Sequence, residues 1–187
     1  ALLYILQLTN NKMNLMSYYP EGIMLKKGAY NYPEKYINFD EFISLMESKE
    51  LKEQIDELRT YEYKSWNYNN AKRRLPVVLF NKFSCNLNTG FIEENPIKPF
   101  DVDLTDNTEE EIKIFEKEIE KKSIKVIKSP SGKGLKFFLK RIFGTSDPQE
   151  YINIYNELCK EIENEFNIIL DYTQGRIKQP FFLTYIK

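Results

Sequence analysis

The order of the apolar segments in the second half of the chain is the feature that most constrains its fold. Continuous or alternating apolar runs predict strands, whereas apolar residues spaced three and four positions apart predict helices. The predicted elements are, in order, a strand at 99–104, a helix at 108–122, strands at 123–127 and 135–142, a helix that opens at Asp147 and Pro148, and strands at 168–171 and 180–186. The order strand-helix-strand-strand-helix-strand is that of a ferredoxin-like, or RRM-like, unit, which we place on residues 96–187.

Residues 1–95 show a different pattern, in which turns and short strands surround one helical stretch. Apolar residues at helical spacing predict a helix over 39–58, with Asp40 as its N-cap. We expect an α+β protein of one domain, 1–187, with an N-terminal α/β lobe before the ferredoxin-like half. Because the sequence stops directly after an apolar strand, we also expect this domain to be cut from a longer polypeptide. The remaining predicted segments of the lobe are a polar, aromatic connector at 61–70 and a strand at 75–80.

The 187 residues include no histidine, which removes whole classes of chemistry. Ser-His-Asp and Cys-His catalysis, histidine bases and histidine-ligated zinc are all excluded. The two cysteines, Cys85 and Cys159, are too few for a disulfide framework or for a zinc site without histidine. They fit free thiols in a reducing compartment, so we expect a cytoplasmic protein without zinc. No apolar run is long enough to predict a membrane span.

Charge is segregated along the second half, although the whole chain is nearly neutral with 27 basic and 28 acidic residues. This balance does not predict overall attraction to nucleic acid, so any site for a polyanion must be local. Residues 101–120 hold nine acids and two lysines, and residues 121–146 hold eight bases and no acid. Two solvated faces would explain this asymmetry, and so would a metal site beside a phosphate site.

Asp101 and Asp103 lie near the end of the predicted strand 99–104 and are separated by one residue. Side chains two positions apart in a strand point to the same face, about 6.5–7 Å apart, so both carboxylates share one side. Two ionised carboxylates on one face favour a divalent cation, and oxygen-only donors suit Mg²⁺ or Mn²⁺. Taken alone, the motif fits a solvated pair of acids better than a metal site.

Residues 129–136, with the sequence Ser-Pro-Ser-Gly-Lys-Gly-Leu-Lys, form a second distinctive segment. Glycines let backbone amides approach a phosphate closely and adopt positive φ, while serine hydroxyls and lysines can bind phosphate oxygens. A Walker loop is excluded because Ile127 and Gly134 stand where it requires glycine and serine or threonine, and because a strand follows rather than a helix. A glycine-rich hairpin turn without any ligand explains the same residues.

A third acid, Asp171, ends the predicted strand 168–171, which in a ferredoxin-like sheet can lie beside the strand of Asp101 and Asp103. The succession of an Asp-x-Asp strand, a Ser/Gly/Lys turn and a strand ending in Asp resembles the archaeo-eukaryotic primase superfamily of primase-polymerases. More narrowly, it is similar to the branch known as the VirE N-terminal domain. The resemblance implies the primase-polymerase fold with an RRM-like catalytic half. The segments that carry it are 72–80, 88–91, 100–103, 129–136, 170–171 and 182–185.

This resemblance implies a metal-dependent nucleotidyltransferase that makes or extends nucleic-acid strands from NTP or dNTP on a DNA template with a primer. A fused or associated helicase is a further implied partner. The superfamily commonly has histidine where Lys136 stands here, and a lysine neutralises phosphate with different hydrogen bonds. The implied catalytic residues and ligands of Mg²⁺ or Mn²⁺ are Asp101, Asp103 and Asp171. The implied nucleotide-binding residues are Ser129, Ser131, Gly132, Lys133, Gly134, Lys136, Lys72, Arg59 and Gln179.

Two other functions fit the same residues. A non-catalytic, RRM-like module would bind nucleic acid through the basic residues and would need neither Asp101 nor Asp171. A metal-dependent nuclease would use the acids and lysines to cleave phosphodiesters, without a pocket for a triphosphate.

The connector at 61–70 and the basic residues that follow it each allow two interpretations. Lys72, Arg73 and Arg74 would hold template backbone or triphosphate, or would form a solvated approach to the strand at 75–80. Aromatic residues in a connector favour packing within the protein, with stacking on template bases as the alternative. These aromatic residues are Tyr61, Tyr63, Trp66 and Tyr68.

Overall fold

In the computed structural model, the described residues are 14–22, 32–85 and 88–186, and they form an α+β structure with antiparallel sheets. None of the helices in these residues is long and apolar enough to cross a bilayer. The strands are β1 (Met16–Tyr19), β2 (Lys35–Ile37), β3 (Val77–Leu79), β4 (Lys82–Phe83), β5 (Phe91–Glu93), β6 (Ile97–Asp103), β7 (Lys125–Lys128), β8 (Gly134–Lys140) and β9 (Phe181–Phe182). The helices are α1 (Phe39–Met46), α2 (Lys49–Thr60), α3 (Trp66–Arg74), α4 (Glu109–Ile119) and α5 (Pro148–Phe166).

The second half of the chain builds a three-stranded antiparallel sheet in the order β6-β8-β7. Lys136 in β8 lies opposite Asp101 in β6, and Gly134 lies opposite Asp103. A single bridge pairs Asp101 with Asp171 on the free side of β6. The segment that follows α5 therefore takes the fourth position, and the order across the sheet is Asp171, β6, β8 and β7.

The predicted strand at 168–171 is present only as this one bridge. Its backbone amides are used by side chains instead of a neighbouring strand: Ile169 N donates to Asn107 Oδ1 at 2.8 Å, and Leu170 N donates to Glu163 Oε1 at 2.9 Å. Leu170 is nevertheless buried in the core beneath the sheet. The alternation of side chains therefore survives although the ladder of hydrogen bonds does not.

The predicted last strand at 180–186 is reduced to β9, and it joins the sheet of the N-terminal lobe. That sheet has the order β2-β1-β3-β9, with Val77 opposite Phe182 and Val78 opposite Phe181. The chain thus crosses back to the lobe directly after the segment of Asp171. Strands β4 and β5 form a separate two-stranded sheet.

Helices α4 and α5 cover one face of the β6-β8-β7 sheet. The two helices begin as predicted, because Thr108 accepts from Glu111 N in a capping box and Asp147 caps a helix with proline in its first turn. Phe100 and Val102 point from β6 into the core that these helices share with the sheet. Every second side chain of β6 is therefore buried under the helices.

The opposite face of the same sheet packs against the N-terminal lobe. The ring of Phe138 lies 5.7 Å from the ring of Phe42 in α1 and 5.5 Å from that of Phe181 in β9. Asp101 and Asp103 alternate with Phe100 and Val102 along β6, so they project toward this lobe rather than toward the helices. The fold consequently holds the acidic pair at the junction of its two halves.

The predicted helix over 39–58 is two helices, α1 and α2, separated at Glu47 and Ser48. Ser48 accepts from Leu51 N and caps the second helix. The predicted cap of the first helix, Asp40, is wrong, since Asn38 accepts from Glu41 N and Glu41 accepts from Asn38 N. This capping box begins two residues before the position that the apolar spacing indicates.

The predicted connector at 61–70 contains the beginning of a helix, α3. Ser65 caps it by accepting from Tyr68 N at 3.1 Å, and burial of Tyr68 anchors the helix to the lobe. Trp66 and the three asparagines of its first half have low helix propensity, which explains why the sequence pattern indicates a connector there. Lys72 therefore lies in the last turn of a helix and not in an extended approach to a strand.

Candidate functional site

A cleft between the β6-β8-β7 sheet and the N-terminal lobe collects most of the residues that the sequence predicts for the site. Segments distant in the sequence meet there, namely the end of β6, the turn between β7 and β8, the residues around Asp171 and helix α3. The predicted site residues that line the cleft are Asp101, Asp103, Asp171, Ser129, Ser131, Lys136, Lys72 and Gln179. Those that do not line it are Arg59, Gly132, Lys133 and Gly134.

The three carboxylates enter the cleft from neighbouring backbone positions. Asp171 N donates to Asp101 O at 2.9 Å, which holds the third acid beside the first two. The side chain of Asp171 also caps the turn that follows, because its two oxygens accept from N and Oγ1 of Thr173 at 2.9 and 2.8 Å. An acid that caps a turn is fixed in orientation, so the position of Asp171 depends on Thr173.

Asp101 is buried, and its two oxygens have different partners. Oδ2 forms an ion pair with Nζ of Lys136, the residue opposite on β8. Oδ1 is buried without a hydrogen-bond partner. The Lys136 ammonium also lies 4.8 Å from the ring centre of Phe181. A buried carboxylate oxygen without a donor is unfavourable, so this atom is open to a further cation or donor.

The charges in the cleft shift one another's titration. Burial raises the pKa of the Asp103 carboxyl, and the negative charges of Asp101 and Asp171 raise it further. Burial lowers the pKa of the Lys72 ammonium, and the positive charge of Lys136 acts in the same direction. The carboxylates in the cleft therefore repel one another, and so do the two ammonium groups. A bound cation would relieve the acids, and a bound polyanion would relieve the lysines.

The turn between β7 and β8 is closed by its own hydrogen bonds. Ser129 O accepts from Gly132 N at 2.8 Å, Ser129 Oγ accepts from Gly134 N at 3.1 Å, and Ser131 Oγ accepts from Lys133 N at 3.2 Å. The glycine region is expected to offer amides to phosphate, yet these amides are already engaged within the turn. The residues of this turn that line the cleft are Ser129, Pro130 and Ser131.

Glycine is required at two positions of this turn, for a different structural reason at each. Gly132 has φ +75°, a left-handed conformation that glycine adopts without strain. Gly134 lies against β6, where an added Cβ would stand 2.4 Å from Val102 O. Gly134 therefore permits the close pairing of β8 with β6 that brings Lys136 to Asp101.

Arg59 and Lys133 support the turn from outside the cleft. Arg59 Nε donates to Pro130 O at 3.1 Å, and its guanidinium packs over Gly132. The Lys133 ammonium lies 4.7 Å from the ring centre of Tyr63. Both residues belong to the predicted nucleotide-binding set, and in the structure they position the turn rather than line the cleft.

Several lining residues lie outside the set that the sequence predicts for the site. They contribute aromatic rings or polar groups, and Gln174 Oε1 is buried without a hydrogen-bond partner. An Asp followed two positions later by Thr is a signal for a capped turn, so the role of Thr173 could be predicted from the sequence. The others come from distant segments whose proximity no local pattern indicates. Apart from Pro130, which belongs to the segment 129–136, these lining residues are Tyr63, Tyr68, Thr173, Gln174, Pro180 and Phe182.

The donors of the cleft suit Mg²⁺ or Mn²⁺ in chemistry, because they are carboxylates and Asp101 Oδ1 lacks a partner. Within the ranges that the structure describes, however, no group of three or more acidic or cysteine side chains is arranged to hold a metal ion. Lys136 occupies the other oxygen of Asp101. A cation bound by these acids would therefore either use Asp101 Oδ1 or displace Lys136 from Oδ2.

No protein-family model, no curated protein and no solved structure matches this chain.

Proposed function

We propose that this protein is a metal-dependent nucleotidyltransferase of the primase-polymerase type. It would make or extend nucleic-acid strands from NTP or dNTP on a DNA template. The observation that carries the proposal is the single cleft in which Asp101, Asp103 and Asp171 stand beside Lys72 and Lys136. Phosphoryl-transfer sites require this combination, since carboxylates hold the metal and cationic side chains neutralise the phosphates.

The topology supports the proposal independently of the side chains. The order Asp171, β6, β8, β7, with α4 after β6 and α5 after β8, is the order of a ferredoxin-like unit with its last strand reduced to one bridge. The acids stand on the face of this unit that meets the N-terminal lobe. That arrangement agrees with the primase-polymerase fold that the sequence resembles.

A divalent cation bound by Asp101, Asp103 and Asp171 would lower the pKa of an attacking hydroxyl and neutralise phosphate charge. Lys136 would leave Asp101 and turn toward the nucleotide. Its ammonium group would then pair with a phosphate instead of the Asp101 carboxylate. Lys72 would bind the same phosphates from helix α3, where burial and the positive charge of Lys136 lower the pKa of its ammonium. The hydroxyls of Ser129 and Ser131, 3.0 Å apart, would donate to phosphate oxygens.

Nucleotide binding and strand extension test this proposal together. We expect NTP with Mn²⁺ to raise the melting temperature more than either does alone, and purified protein to extend a primer on a DNA template. Asp101→Asn combined with Asp103→Asn should abolish both effects. Asp106→Asn is the matched control, because Asp106 is an exposed acid three residues after Asp103 and does not line the cleft. Extension by the double variant at the rate of the wild type would contradict the proposal.

A second candidate function, a nucleic-acid-binding module without catalysis, is favoured by one observation. Lys136 already neutralises Asp101, and no ready metal group exists in the described part of the chain. Binding of DNA that is unaffected by chelators, with no response to NTP and Mn²⁺, would support this candidate. Degradation of the primer with Mn²⁺ alone would instead indicate a nuclease. A helicase partner and a cytoplasmic location remain part of the first proposal.

A further inference from the structure

Trp66, the first residue of helix α3, is 79 % exposed. The expectation that the aromatic residues of this region pack within the protein is wrong for Trp66. It holds for Tyr63 and Tyr68, whose ring centres are 5.3 Å apart and nearly perpendicular. An exposed indole is a large, flat and rigid surface on which an aromatic ligand can stack.

The position of Trp66 is fixed by the backbone before it. Ser65 N donates to Glu62 O at 3.0 Å, and Ser65 Oγ accepts from Tyr68 N at 3.1 Å, so the helix begins at a capped residue. Asn69 Nδ2 donates to Lys64 O at 3.1 Å, which ties the preceding turn to the helix. The indole is thus presented from an ordered turn and not from a fraying end.

The helix that carries this ring is rich in basic residues. Residues 64–74 contain four basic side chains and no acid. Arg73 is exposed and lies seven residues after Trp66, which places it about 10.5 Å along the axis and nearly on the same side of the helix. Tyr68 and Lys72 occupy the other side, where Tyr68 is buried and both line the cleft. Helix α3 therefore joins an outer aromatic and basic face to the inner site.

We propose that this outer face, formed by Trp66 and Arg73, binds single-stranded nucleic acid. Trp66 stacks on one unpaired base, and Arg73 binds a phosphate one or two nucleotides away. The positive charge selects a polyanion, and the free face of the indole selects unpaired bases, because bases in a duplex are stacked on one another. The identification of this strand as a template rests on the proposed function, whereas the binding itself requires neither metal nor nucleotide.

Trp66 reports on its own contact, because it is the single tryptophan of the chain. We expect a twenty-nucleotide oligothymidylate to quench its fluorescence without added metal. The same strand paired with oligoadenylate, or heparin at equal charge, should quench much less. Unchanged emission with the single strand overturns the proposal, as does equal quenching by heparin, since heparin has charge but no bases.

Two variants separate stacking from charge when binding of a labelled oligothymidylate is followed by anisotropy. Trp66→Ala should weaken binding about tenfold, as expected for loss of one stacked base. Arg73→Gln should weaken binding and lower the slope of log affinity against log salt by about 0.7. Arg141→Gln is the matched control, because Arg141 is equally an exposed arginine but lies at the end of β8. Equal effects of the two arginine variants overturn the proposal.

One further variant distinguishes failure of this inference from failure of the proposed function. The variant with Asp101→Asn and Asp103→Asn should still show full quenching of Trp66, although it is expected to be inactive in extension. Quenching in a protein that never extends a primer would refute the proposed function and leave this inference intact. Extension that is insensitive to Trp66→Ala, without quenching, would refute the inference alone. Emission that changes with protein concentration in the absence of DNA would assign the face to a second copy and also overturn it.

Discussion

Lys136 and Asp101 stand opposite each other on β8 and β6 and form a buried ion pair at the floor of the cleft. The pair leaves Asp101 Oδ1 without a hydrogen bond, so the carboxylate is only half satisfied by the protein. Lys136 therefore has the position of an internal counter-ion. It stabilises the fold while no other cation is bound and competes with any cation that approaches.

Loss of Lys136 alone should destabilise the protein because it leaves a buried, unpaired carboxylate. We expect Lys136→Met to lower the free energy of unfolding by about 3 kcal/mol, and Lys136→Met with Asp101→Asn to restore most of that loss. Urea unfolding of the two single variants and the double variant measures the coupling. Additive losses in the double variant would show that the two side chains do not interact.

The same pair predicts tighter binding of Mn²⁺ when the lysine is removed. In the absence of nucleotide, Lys136→Met should bind Mn²⁺ more tightly than the wild type, because the metal no longer displaces an ammonium group from Asp101. Titration followed by the electron paramagnetic resonance of free Mn²⁺ measures this directly. Lys136→Gln serves as a second variant if Met impairs folding, and Asp101→Asn should weaken binding. Weaker binding to both Lys136 variants would mean that the lysine assists the metal site.

The raised pKa of Asp103 predicts a pH-dependent gain in stability for Asp103→Asn. The unfolded carboxyl ionises near its ordinary pKa of 3.8, whereas burial and neighbouring acids delay ionisation in the folded state. The folded state thus keeps the proton longer, and this group lowers stability as pH rises through that window. Asp103→Asn should therefore be more stable than the wild type at neutral pH, with a difference that shrinks below about pH 4. Urea midpoints at both pH values test the sign.

Lys98 should make the protein more stable as the solution becomes mildly alkaline. Its side chain is fully buried, with Nζ bound to Glu94, and burial lowers its pKa to about 8. Between pH 8 and the ordinary value of 10.5 the unfolded state holds the proton and the folded state does not. Stability from this group therefore rises with pH, by at most about 1.4 kcal/mol per pH unit. Lys98→Met should remove this rise in thermal melts between about pH 7.5 and 9.5.

Gly134 should be far less tolerant of substitution than Gly144. An added Cβ at Gly134 would meet Val102 O, so Gly134→Ala must push β8 away from β6. Gly144 has φ +72° and nothing within 4 Å of an added Cβ, so Gly144→Ala incurs only the backbone strain of about 1–2 kcal/mol. We expect a loss at Gly134 well above that value, together with weaker nucleotide binding because Lys136 moves. Equal losses by denaturant unfolding would contradict this explanation.

The sequence predicts the second half of the fold well because its signals are local. The start of a helix near Thr108, the cap at Asp147 and the alternation that puts Asp101 and Asp103 on one face depend on nearby residues, and the structure confirms them. The bridge to Asp171 was also expected, although side-chain bonds to Asn107 and Glu163 replace the rest of that strand.

Long-range pairing accounts for most of what the sequence does not predict. The first half of helix α3 consists of weak helix formers, and the helix starts there because Ser65 caps it and Tyr68 is buried. Strand β9 pairs with β3 across about a hundred residues, and no local pattern identifies that partner. The site follows the same rule. Its acids could be predicted from alternation, whereas the presence of Gln174 and of aromatic rings in the cleft depends on how the two halves meet.

The return of β9 to the N-terminal sheet has a mechanical consequence. The segment after Asp171 contains Gln179, which lines the cleft, and a few residues later it pairs with β3 as strand β9. The two halves are thus tethered on one side by a strand only two residues long. Separating the two halves would therefore break the pairing of β3 with β9 and the packing of Phe138 against Phe42.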